Sequence, residues 1–257
     1  FSPAAQTTYS DMAAVSKTAA TVLCQPLPFA TVALAGVGTA ANLVALSSSS
    51  LNFGLVPCGN TAPAQTLTVT NNSSNQLAFT FSLAGGAASP YTVSGPASVP
   101  AGGMGTVTVT PKVVPGTSST APDGFADTLS ITAIGGPVNE AHTVALHQTA
   151  QGAVLSLNPT SLSFNTGLGG SQTKSFTVNN AGNLAAPYSL ALGGANPSSF
   201  TVTPTSGTAS GGGSVSESAT FNAPLLGGSR SATLTLSTSA GRCAPLPAPL
   251  PLSGTTN

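Results

Sequence analysis

Apolar and polar residues alternate through most of this chain with a period of two, in short bursts separated by Gly, Pro, Ser and Asn. The best-organised burst runs from Leu51 to Asn72, LNFGLVPCGNTAPAQTLTVTNN, and it recurs from Leu162 to Asn180 as LSFNTGLGGSQTKSFTVNN. Leu51 and Leu162 are 111 positions apart and Val69 and Val178 are 109 apart, so the repeat is about one small domain long. Each copy reads as a short strand reaching Phe, a Gly-rich turn, a second strand and an Asn-Asn turn.

The later repeat predicts seven strands. Leu155-Ser-Leu157 together with Leu162-Ser-Phe164 makes the first, Ser175 to Val178 the second, Tyr188 to Leu192 the third and Phe200 to Val202 the fourth. Val215 to Phe221 is the fifth, Ala232 to Leu236 the sixth and Leu246 to Leu252 the seventh. Pro247, Pro249 and Pro251 cannot donate to a ladder, so the last strand is expected at an edge or with those positions outward. The earlier repeat matches at Leu67–Val69, Leu77–Leu83, Tyr91–Val93, Val107–Val109, Leu129–Ile131 and Val144–Leu146, with a longer loop from Val113 to Asp123. Seven short alternating strands per repeat predict an all-β chain of tandem seven-stranded, immunoglobulin-like sandwiches over residues 43–150 and 151–257.

Residues 1–42 carry only the end of that pattern. Tyr9-Ser-Asp11 matches Phe125-Ala-Asp127, Val32-Ala-Leu34 matches Val144-Ala-Leu146, and Cys24-Gln-Pro-Leu-Pro28 matches Cys243-Ala-Pro-Leu-Pro247. The segment is expected to form the last two strands of a truncated third sandwich, and two strands cannot bury a core alone. Either it belongs to a longer tandem array, or it is a hairpin that completes a neighbour by adding strands.

Composition sharpens the picture in one respect. Charged residues are only 4% of the chain, five basic and five acidic, against roughly 25% in an average soluble domain. Such a surface offers no field for phosphates, which excludes nucleic acid as the expected partner, and it lacks the repulsion that keeps copies apart. The long uncharged run from Phe29 to Pro57 is broken by Gly36, Gly38, Asn42 and four serines, so it predicts strands and a linker and no membrane span.

Residues with chemistry are few. His142 and His147 are five apart on a predicted strand and so point to opposite faces. Asp11, Asp123, Asp127, Glu140 and Glu217 are scattered, with only Asp123 and Asp127 close together. Gly211-Gly212-Gly213 is turn chemistry, since no Lys or helix pattern follows it. No catalytic residue, metal ligand or cofactor is expected.

Phe53-Gly54 ahead of the Cys58-Gly59 turn, followed by Gln65 to Asn71, resembles the bacterial immunoglobulin-like repeats of the ASPM–SPD-2–Hydin and choice-of-anchor D type. The Tyr9-Ser-Asp11 and Phe125-Ala-Asp127 stretches and the Cys-x-Pro-Leu-Pro motif fit the same group. The resemblance spans nearly the whole chain and implies a β-sandwich in a large exported surface protein without catalytic residues. The later repeat departs from it, with Asn165 in place of the strand-end Gly and no Cys-Gly turn.

In a seven-stranded sandwich the turn after the first strand lies at the trailing pole, and the turn before the last strand lies at the leading pole. Cys58 and Cys243 then face each other across the joint between the repeats, which predicts a Cys58–Cys243 disulfide; three buried free thiols are the alternative. Cys24, on the same rule, would meet a cysteine of a preceding repeat or of another subunit. The expected function is a segment or subunit of an extracellular or cell-surface filament or array, its partners being copies of itself or neighbouring repeats. A contact of head-to-tail kind grows into a filament when it does not close. The rival readings are an adhesin or binding module, with Val113–Asp123 as its binding loop, and a spacer stalk of a larger secreted protein.

Overall fold

The computed structural model describes residues 8–14, 31–37, 42–136 and 139–257. Cys24 and the Cys24–Pro28 match lie outside the described residues. Strands β1 (Thr8–Ala14) and β2 (Thr31–Val37) form an antiparallel hairpin. Its register is that of the corresponding pair further on: Asp11 faces Leu34 and Ala13 faces Val32, as Asp127 faces Leu146 and Leu129 faces Val144.

The first sandwich contains β3 (Val44–Leu46), β4 (Ser50–Pro57), β5 (Gln65–Asn71), β6 (Leu77–Leu83), β7 (Tyr91–Ser94), β8 (Ser98–Val99), β9 (Met104–Pro111), β10 (Asp127–Ile134) and β11 (Glu140–Gln151). One sheet has the order β4-β11-β10-β6-β8 and the other β3-β5-β9-β7. The second sandwich repeats this with β12 (Leu155–Asn158), β13 (Leu162–Thr166), β14 (Ser171–Asn180), β15 (Ala186–Gly193), β16 (Phe200–Thr203), β17 (Ser206–Ala209), β18 (Ser214–Asn222), β19 (Gly228–Thr238) and β20 (Leu250–Thr256). Its sheets are β13-β20-β19-β15-β17 and β12-β14-β18-β16. All seven predicted strands are present in each. The first is divided between the two sheets, and a short strand (β8, β17) is added at one edge.

Two details correct the sequence reading. The halves of the first strand of the later repeat belong to opposite sheets: β12 pairs with β14, whereas β13 runs parallel to β20. The last strand begins at Leu250, four residues later than expected, and lies inside its sheet between β13 and β19. Only Pro251 of the three prolines is in the strand, where it faces solvent one residue before the pairing with β13 begins at Leu252.

Alternation explains the cores. Leu67, Val69, Val107, Val109, Leu129, Ile131, Val144 and Leu146 are at most 2% exposed in the first sandwich. Phe164, Phe200 and Phe221 meet one another with ring centroids 5.1–6.2 Å apart in the second. Because alternate side chains of a strand point to opposite faces, the intervening Thr and Ser residues are left on the surface. In each sandwich a buried Asn ends the second strand. Asn71 donates to the carbonyls of Asn75, Val99 and Pro100, and Asn180 donates to those of Leu184 and Ala209. These side chains satisfy the backbone of the following turn, which accounts for one asparagine of each Asn-Asn pair, Asn71 and its counterpart Asn180.

The joint between the sandwiches as the candidate functional site

The joint is built from one turn of the first sandwich and one long connection of the second. Pro57-Cys58-Gly59-Asn60 is a tight turn closed by the Asn60 N–H on the Pro57 carbonyl, with Gly59 at φ 86°. It follows β4 directly, so Cys58 is carried at the trailing pole. Cys243 lies in the connection between β19 and β20 at the leading pole of the second sandwich. The two sulfurs are bonded, with the Cα atoms 5.3 Å apart and 185 positions separating them in the chain.

Around the bond lies a small apolar cluster of Val56, Val114, Ala150 and Cys243, with Cys58, Ala62, Phe125 and Val154 packed against it. Cys243 is also held by backbone: its N–H donates to Ala153 O at 3.0 Å, and its carbonyl accepts from the Ser118 N–H at 3.1 Å. The linker passes so close beneath it that a Cβ on Gly152 would stand 2.5 Å from Cys243 Sγ. Only glycine leaves that space open.

Asn183, in the turn after β14, clamps the same linker. Its Oδ1 accepts from the Gly152 N–H at 3.0 Å, and its Nδ2 donates to Ala150 O at 2.8 Å and to Thr120 O at 3.3 Å. This residue was not singled out from sequence; the signal was its place in the NNAGN turn after the second strand. The Val113–Asp123 loop, the expected binding loop of the adhesin reading, is therefore engaged by the second sandwich through Ser118 and Thr120. Two shallow open grooves flank it. One, of about 410 Å³, runs past Thr117 and Arg242, and the other, of about 560 Å³, lies between Thr120 and Gly212.

The remaining candidates are dispersed. His142 Nε2 meets Glu140 Oε1 at 2.7 Å, while His147, on the other face of β11, meets Asp123 Oδ2 at 3.1 Å. Glu140 also accepts from the Leu43 N–H at 2.7 Å. Asp127 turns away from Asp123 to the turn around Gly85. Partial burial works against its charge, but the Ser89 hydroxyl and the backbone N–H groups of Thr128 and Gly85 donate to it and hold its carboxyl below the usual range. Among the described residues no three His, Cys, Asp or Glu side chains come together as a metal site. No helix of the described residues is long and apolar enough to cross a membrane.

No family model matches the sequence, and no curated protein matches it. The chain is similar to several solved structures. One is the Salmonella enterica SafA pilin in complex with the SafB chaperone, with TM-score 0.34, 15% identity, and 83% of this chain and 97% of that chain covered. Another is the Pseudomonas aeruginosa CupB2 chaperone, with TM-score 0.34, 12% identity, and coverage of 78% and 100%. A third is the ASH / PapD-like domain 7 of human CEP192, with TM-score 0.31, 17% identity, and coverage of 40% and 84%. The immunoglobulin-like character of this chain rests on its own strand order: two sheets in each repeat, a first strand divided between them, and a parallel pairing of its second half with the last strand inside one sheet.

Proposed function

We propose that this chain is a non-enzymatic structural protein, a segment or subunit of an extracellular filament or cell-surface array built from immunoglobulin-like repeats of the ASPM–SPD-2–Hydin type. The division into residues 1–42, 43–150 and 151–257 belongs to the same reading and is supported by the two separate cores.

The observation that carries the proposal is the β1–β2 hairpin. It has the register of β10–β11, yet Val32 and Leu34 are 48% and 51% exposed where their counterparts Val144 and Leu146 are fully buried. A hairpin with the register of a sandwich's last two strands, and with its apolar residues exposed, is a surface for the strands of another immunoglobulin-like unit. The bonded joint adds stiffness, and the near absence of charge lowers the barrier to association between copies. The disulfide suits an oxidising compartment such as the cell exterior.

Negative-stain electron microscopy of native, never-refolded material tests this. Regular fibres with an axial repeat near the length of two or three sandwiches are expected. Isolated single chains at high concentration would overturn it and leave a spacer stalk as the better description.

A further inference from the structure

The trailing pole of the second sandwich is built on the same backbone scaffold as that of the first. Gly167-Leu168-Gly169-Gly170 is a tight turn closed by the Gly170 N–H on the Gly167 carbonyl, with Gly169 at φ 68°, as Asn60 closes on Pro57 with Gly59 at φ 86°. Leu168 thus stands in the place of Cys58. The loop after the fifth strand also meets the two turns alike: Gly59 and Gly169 donate to the carbonyls of Val114 and Pro224, and Val114 and Ala223 donate back to those of Asn60 and Gly170.

On the first sandwich this scaffold is covered by the leading pole of the second. On the second it presents Leu168, Leu225 and Leu226 at 55%, 81% and 79% exposure. Three leucines clustered on one pole of a nearly uncharged protein are an interaction surface. Leu225 borders Gly169 and Leu168 borders Gly227, so the three form one patch.

The geometry points to a second copy of this chain as the occupant, seated through the leading pole of its first sandwich. The scaffold takes a sandwich's leading pole in the one instance where it is filled. The first sandwich's own leading pole carries exposed Met104 (73%) and Ile134 (38%). The register places Ser214 and Ser239 at the corresponding positions of the leading pole that joins the first sandwich through a disulfide. At these two positions the covalently joined pole carries serines, whereas the first sandwich's own leading pole carries apolar side chains that match the leucine patch. The contact pairs different surfaces of identical chains and is open-ended. It stands on the pole geometry and is independent of the hairpin.

The test places a photo-reactive amino acid at Leu226 of the full chain, in an equal mixture of isotopically light and heavy protein. Mixed-isotope cross-links from position 226 to peptides containing Met104 or Ile134 are expected. Met104→Asp with Ile134→Asp, both at exposed positions, should reduce their yield at least tenfold while leaving thermal unfolding unchanged. Cross-links to the β1–β2 hairpin, leucine patch to leucine patch, or within one chain only would each overturn the assignment, as would none at all. The hairpin reading is probed separately by the same chemistry at Leu34, so either result can fail alone.

Discussion

Tyr188 donates its phenolic hydrogen to Glu217 inside the second sandwich, where the first sandwich has Phe79 and Val107. Both residues are nearly inaccessible, at 4% and 1% exposure, and Glu217 Oε2 has no partner. One repeat thus carries a polar pair where its sibling is apolar. Tyr188→Phe strands both carboxylate oxygens and is expected to cost about 1–3 kcal/mol in denaturant unfolding. Adding Glu217→Val recreates the first sandwich's pair, and the double variant should lose less than the sum of the two single losses.

Alkali should unfold the protein through its tyrosines. Burial raises the Tyr188 hydroxyl above its ordinary 10.0, and the hydrogen bond and charge of Glu217 raise it further; Tyr91 is raised by burial and by Asp127 and Asp123. A hydroxyl raised in the folded state contributes stability that is fully present below pH 10 and is lost as pH rises toward the folded value. Parallel titrations of tyrosinate absorbance and of circular dichroism should therefore show ionisation arriving together with unfolding. Ionisation of all three tyrosines in a folded protein would contradict this.

Acid acts through Asp127. Its carboxyl is held low in the folded protein, so its contribution is present above the unfolded value near 3.8 and is lost as pH falls through the depressed folded value. Asp127→Asn should flatten the pH dependence of the first sandwich's stability below about pH 4, checked by thermal melts across that range.

At the joint, Cys243→Ser removes a covalent loop of 185 residues and Asn183→Ala removes three hydrogen bonds. The first should cost about 2–5 kcal/mol in global unfolding and split one cooperative transition into two. The second should cost about 1–3 kcal/mol and raise hydrogen exchange at Gly152 before anywhere else. Calorimetry and exchange mass spectrometry read these two outcomes.

What sequence could reveal follows from the physics of strands. Alternation at period two marks a half-buried strand wherever it occurs, so β6 was legible to the residue and β18 to within one at each end. The same signal is blind to which sheet a strand joins, because Leu155-Ser-Leu157 and Leu162-Ser-Phe164 alternate identically while pairing on opposite sides. It also misplaced the last strand, since Leu246, Leu250 and Leu252 keep one parity through a proline run. The opposing cysteines were legible because strand parity fixes which pole each turn occupies. Asn183 and the engagement of the Val113–Asp123 loop were not, because a loop's length says nothing of a neighbour lying against it.

The parallel pairings of β4 with β11 and of β13 with β20 decide how this molecule meets a pulling force. Tension drawn through a sandwich from its first strand to its last slides those two strands along each other. It strains all their hydrogen bonds together, where a hairpin would open them one by one. The disulfide then redirects the load. A pull between Val44 and Thr256 travels down β4 to Cys58, crosses to Cys243 and leaves along β20, so the 185-position loop between the cysteines carries none of it. Only β3, β4 and β20, which lie outside that loop along the chain, can be drawn out while the bond is intact. Its reduction would release roughly 600 Å of further chain, at about 3.3–3.6 Å per residue.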